Sequence, residues 1–131
     1  MLEFNYNGVT LAYIGDAVIE LAIREALILS EITDTGRLSA AAQKFVCAPT
    51  QSNVVEKLLP ILTPEEEAAY KLGRNHRVSG KPKHASVAEY SRATGLEAIF
   101  GYLHLTGNNE RIRHLIKIAY GDMMEEIKEK I

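Results

Sequence analysis

Apolar residues recur at intervals of three and four along nearly the whole of this chain, and nowhere alternate over the length of a strand. That spacing confines the fold to helices packed on helices. From Thr10 to about Leu29 one stripe holds Leu11, Ile14, Val18, Leu21 and Ala22, and a second, on roughly the opposite side, holds Ala12, Ile19 and Ile23. A helix apolar on two sides belongs at the centre of a bundle.

The punctuation between helices is as informative as their stripes. Asp34 to Lys44 reads as loop and then helix; Pro49 breaks that run, and Thr50 to Leu59 forms another helix that stops at Pro60. Thr63-Pro64-Glu65-Glu66 carries an N-cap, a proline at the first helical position and a glutamate reaching back to the cap. This helix is expected to reach about Leu72, with Gly73 placed to end it. Arg74 to Ala85 has no periodicity and reads as an exposed loop. Ser86-Val87-Ala88-Glu89 repeats the capping pattern and opens a long helix ending near Gly107, and a last helix covers Asn109 to about Lys128. With 131 residues, no internal repeat and no linker, residues 1–131 read as one all-α domain, a helical bundle.

Several function classes fall away. The most apolar run, Leu96 to Leu105, is interrupted by Glu97 and His104 and is too short to cross a membrane. The stretch Met1-Leu2-Glu3-Phe4-Asn5 lacks the features of a signal peptide. Cys47, the one cysteine, has no disulfide partner and reads as a small core residue, so a cytoplasmic location is expected. His104 and His114 lack metal-site spacing, and no phosphate-binding glycine loop precedes Lys81.

Net charge is −2, yet its distribution is uneven. Lys71, Arg74, Arg77, Lys81, Lys83 and Arg92 cluster with His76 and His84 against the single acid Glu89. Taken alone, such a cluster is as consistent with a solvated loop as with a polyanion site.

Two acids stand where acids are costly. Asp16 is flanked on its own side by Ala12, Ile19 and Ile23, Glu20 follows one turn on, and Glu97 interrupts the apolar run of the long helix. Gly15 adjoins Asp16, while Gly95 and Gly101 bracket Glu97. A glycine inside a helix costs about 1 kcal/mol against alanine and marks close backbone packing, so the two helices are expected to cross here and bring Asp16 to Glu97. Paired carboxylates need a proton or a cation between them, and oxygen-only ligands suit Mg²⁺ or Mn²⁺. A structural pairing with Arg24 or Arg92 accounts for such acids equally well on pattern alone.

The segment Leu11-Ala12-Tyr13-Ile14-Gly15-Asp16-Ala17-Val18-Ile19-Glu20 resembles the signature helix of the ribonuclease III superfamily. Leu96-Glu97-Ala98-Ile99-Phe100-Gly101-Tyr102-Leu103-His104-Leu105 is similar to its second catalytic helix. Arg74-Asn75 and Pro82-Lys83 resemble the Mini-ribonuclease III branch, which lacks a separate double-stranded-RNA-binding domain. The resemblance runs in order from about Thr10 to the last helix. It implies a homodimeric ribonuclease III-type endonuclease domain that hydrolyses double-stranded RNA with Mg²⁺, and, for this branch, maturation of precursor 23S ribosomal RNA. Asp16 and Glu97 would be the metal ligands, with Glu20 as a further catalytic candidate. Lys71, Arg74, Asn75, His76, Arg77, Lys81, Lys83 and His84 would face the RNA. Positions that are acidic in the larger enzymes hold Val9, Ala12 and Thr94 here. Their absence keeps open a rival, a non-catalytic module on the same fold that binds duplex RNA or the ribosome.

Overall fold

The computed structural model describes residues 6–76 and 85–129. Six helices follow one another: α1 (Gly8–Leu29), α2 (Thr35–Val46), α3 (Ala48–Leu58), α4 (Pro64–Arg74), α5 (Val87–Leu105) and α6 (Asn109–Glu129). A short 3-10 turn, Leu59–Ile61, joins α3 to α4, and there is no strand among the described residues. No helix among them is long and apolar enough to cross a membrane.

Side-chain caps start four of the helices. Asn7 and Asp34 accept from the backbone N–H groups of Thr10 and Arg37 and so start α1 and α2. Both capping boxes form, Thr63 with Glu66 and Ser86 with Glu89. Past the end of α5, Gly107 takes the left-handed conformation at φ 75°.

α5 is the central element. Leu96, Ala98, Ile99, Phe100 and Leu103 are buried around it, and α1, α3 and α4 pack along its sides. Each large side chain so enclosed contributes about 1.5–3 kcal/mol of transfer free energy. α1 therefore lies to one side of the centre. Ile19, Ile23 and Leu27 face the core, but Leu21, at the middle of the expected first stripe, is 60% exposed.

Three local expectations change. The break expected at Pro49 falls two residues earlier, at Cys47, and Pro49 sits in the first turn of α3, where its missing N–H has no intrahelical partner to lose. Cys47 is only partly buried; it forms the joint between α2 and α3, with its Sγ 3.1 Å from Thr50 Oγ1. Gly73 lies inside α4, which continues to Arg74, because its bare Cα lets α4 approach the Thr94 carbonyl and Ala98 of α5.

Glu66 has a long-range role as well as its cap. Arg111 at the start of α6 donates from Nε and Nη2 to the two carboxylate oxygens, each at 2.8 Å, and Nη2 also reaches the Ile61 carbonyl. Burial pushes the Glu66 carboxyl up, but the hydrogen bonds from Arg111 and Thr63 outweigh it and hold the group below its usual range.

Candidate active site

α1 and α5 cross backbone to backbone. A Cβ on Gly15 would overlap the Glu97 carbonyl and come within 2.9 Å of the Gly101 nitrogen, and a Cβ on Gly101 would overlap the Leu11 carbonyl. Only glycine at both positions allows this approach. Gly95 does not share in the crossing: its open side faces the Tyr70 ring of α4.

The crossing places the Asp16 and Glu97 side chains within hydrogen-bonding reach of each other. Their surroundings differ. Asp16 is exposed, contrary to the expectation of a buried charge, because Gly15 occupies the contact and the next residue is turned about 100° around the helix. Glu97 sits deeper. Burial foremost, then the hydrogen bond to Asp16 and its charge, push the Glu97 carboxyl up to about 9, against a smaller opposing pull from Gln51.

Neither candidate arginine relieves this repulsion: Arg24 pairs with Glu20 at 2.9 Å, and Arg92 pairs with Glu56. Glu20 is thus engaged with its own helix one turn from Asp16. Among the described residues no group of three or more His, Cys, Asp or Glu side chains is arranged to hold a metal ion, so the candidate ligands are a pair. The Thr94 hydroxyl donates to the Tyr90 carbonyl of its own helix. His104 and His114 are exposed on the surface.

Two residues near the pair escaped the sequence reading. Gln51 of α3 and Tyr120 of α6 are buried, and their Nε2 and hydroxyl atoms complete no hydrogen bond. Burial, with the charges of Glu97 and Cys47, pushes the Tyr120 hydroxyl well above its usual range. The available signal was Gln51 itself: it continues the apolar stripe Val54, Val55, Leu58 at helical spacing.

The Ribonuclease III domain family matches residues 9–108 of the chain. The chain is 42% identical to a Mini-ribonuclease 3 of Streptococcus pneumoniae over 88% of its own length and 93% of that protein's. The chain belongs to the ribonuclease III family. Within it, the Mini-ribonuclease III branch is indicated by a further Mini-ribonuclease 3, from Enterococcus faecalis, 42% identical over 84% of this chain and 85% of that one. A crystal structure of a Fusobacterium nucleatum protein superposes with a TM-score of 0.82 at 32% identity, covering 91% of this chain and 95% of that chain. The all-helical fold is thus the family's, and the chain is an endoribonuclease of the ribonuclease III class.

The basic segment is partly described. Lys71 pairs with Glu67 at 3.1 Å, Arg74 lies over the Tyr70 ring and donates to Asn75, Asn75 caps α4, and His76 is exposed. Arg77, Lys81, Lys83 and His84 lie outside the described residues. The end of α4 is fixed at two places, by Gly8 of α1 against the Leu72 carbonyl and by Gly73 against α5.

The raised Glu97 value makes stability depend on pH. The folded chain keeps a proton that the unfolded chain, with an ordinary value of 4.5, releases. Between about pH 4.5 and about pH 9 the native state binds more protons, so metal-free stability contributed by this group falls as pH rises. Urea midpoints across that range should decline in the wild type, and Glu97→Gln should flatten the decline. Equal slopes in the two proteins would show that Glu97 titrates normally.

Proposed function

We propose that this endoribonuclease cuts double-stranded RNA with Mg²⁺ (Mn²⁺ as a substitute) held between Asp16 and Glu97. One observation carries the reading: two carboxylates meet at the α1–α5 crossing, and the arginines nearest in sequence, Arg24 and Arg92, pair with other acids. The donor set is oxygen only, which suits a hard cation. When bound, the ion would neutralise the pair and supply charge stabilisation at the scissile phosphate together with an activated water.

The chain's own residues divide the remaining work. Asp16, exposed, is the carboxylate that a phosphodiester approaching from solvent meets first, while Glu97, fixed by the packed centre of α5, sets the depth of the site. Glu20 would act through Arg24, whose guanidinium it holds one turn beyond Asp16. Lys71, Arg74, Asn75 and His76, continued by Arg77, Lys81, Lys83 and His84, contact phosphates and 2′-hydroxyls, the groups by which duplex RNA is recognised. Incubation of the protein with long duplex RNA, in Mg²⁺ and in EDTA, tests the proposal. Cutting that persists in EDTA would remove the metal, and a chain that cuts only single strands would remove the duplex.

Replacing Lys71 and Arg74 by alanine should weaken duplex binding and reduce the slope of log affinity against log salt by about 0.9 for each phosphate these side chains neutralise. Filter binding at several salt concentrations measures this, and an unchanged slope would place the RNA elsewhere.

A homodimer is part of the same proposal. Tyr13, one turn before Asp16, is 84% exposed, and Val9 and Leu21 extend an apolar surface along the outer side of α1. Pairing two such faces would set the two active sites beside one shared RNA path. Tyr13→Asp is expected to convert the protein to monomers in sedimentation experiments; a wild type that sediments as a monomer overturns the assembly. As the natural substrate we propose precursor 23S ribosomal RNA and, as the setting, the cytoplasm; cells lacking the protein should accumulate that precursor uncut.

A further inference from the structure

We propose that Gln51 is a positioning residue for Glu97, its side-chain amide fixing the orientation in which the carboxylate receives the metal. This inference rests on the proposed metal role of Glu97.

Gln51 lies on the face of α3 that packs against α5, in line with Val54, Val55 and Leu58. It is 2% exposed. A buried amide left without partners costs on the order of 1–3 kcal/mol, and a leucine or methionine would fill the same space without that cost. The Nε2 group completes no hydrogen bond, and the amide lies within reach of the Glu97 carboxyl.

A carboxylate offers about four lone-pair directions, more than one metal ion uses. An N–H donor on one of the others holds the group against rotation about its last side-chain bond. Groups of this kind behind a metal ligand typically change affinity or activity 10–100-fold when removed. Tyr120 supplies the contrast. Its hydroxyl is equally buried and unpartnered, but Glu97 acts on it through charge alone.

The test is Mn²⁺ titration by calorimetry on the wild type, Gln51→Met, Gln51→Leu, Tyr120→Phe and Glu97→Gln, with a thermal melt of each without metal. Both Gln51 variants remove a buried unpaired nitrogen and should melt no lower than wild type. They are expected to bind Mn²⁺ about 10-fold more weakly or worse. On duplex RNA, kcat at limiting Mn²⁺ should fall in proportion and recover at saturating Mn²⁺, with KM for RNA unchanged. Tyr120→Phe should leave the Mn²⁺ affinity where it was. If Glu97→Gln weakens Mn²⁺ binding but the Gln51 variants do not, the positioning role is wrong and the metal site stands. If Glu97→Gln itself leaves Mn²⁺ affinity intact, the metal site is wrong and the role of Gln51 falls with it. Weaker binding in Tyr120→Phe equal to that in the Gln51 variants would mean a general disturbance of the core, which also overturns the proposal.

Discussion

Asp16→Asn is expected to lower cleavage of duplex RNA by about 10³-fold or more while leaving the fold and RNA binding intact. The magnitude follows from the role: charge stabilisation by a bound metal is worth several kcal/mol, and each 1.4 kcal/mol or so is a factor of ten in rate. The fold should survive because Asp16 is exposed and asparagine has the same shape. The substitution has a second effect at Glu97. It removes the Asp16 charge, one of the causes that raise that carboxyl to about 9, so the group should move back toward 4.5, though burial, the largest cause, remains. Metal-free Asp16→Asn protein is therefore expected to be at least as stable as wild type near pH 8. Single-turnover cleavage, a gel-shift assay and a thermal melt together check the prediction. Full cleavage by the variant would remove Asp16 from the site.

Gly15→Ala should cause the largest loss of stability of any single methyl added to the described glycines, with Gly101→Ala close behind. Alanine in a helix ordinarily gains about 1 kcal/mol over glycine. Here the added carbon would overlap the Glu97 carbonyl, and backbone, unlike the end of a flexible side chain, cannot swing aside. Overpacking of this kind costs roughly 1–3 kcal/mol and sometimes more, so the melting temperature should fall by roughly 10 °C or the chain should fail to fold. Gly121 in α6 provides the control: nothing lies within 4 Å of a Cβ there, and Gly121→Ala should stabilise by about 0.5–1 kcal/mol. A Gly15→Ala variant as stable as wild type would mean that the helices do not cross at this point. Because the crossing brings Asp16 to Glu97, cleavage should fail in any Gly15→Ala protein that does fold.

Much of this architecture is legible in the residues because it depends on local chemistry. Helical periodicity, the two capping boxes and Gly107 act within a few residues of themselves, and all are where the sequence places them. The pairing of Asp16 with Glu97 was accessible too, through Gly15 beside the one and Gly101 a turn beyond the other, and family membership agrees with the resemblance carried by those two segments.

What the sequence could not supply are partners chosen across the bundle. Gly73 and Gly101 are the same residue in similar helical surroundings, yet one lies where α4 meets α5 and the other where α1 does. Glu66 reads as a cap, and only the approach of α6 gives it Arg111. Leu21 belongs to a helical stripe but lies in solvent, because α5 rather than α1 occupies the centre. Gln51 is an ordinary polar residue until α3 is packed against α5 and its amide is enclosed without a partner. The sequence by itself determined which segments are helical, where the helices with capping boxes start, and which two acids stand at a helix crossing, since propensity, capping and the cost of a misplaced charge act through neighbours along the chain. Tertiary structure alone decided which carboxylate is enclosed and which is open, because solvent access and field strength depend on how helices distant in sequence are brought together.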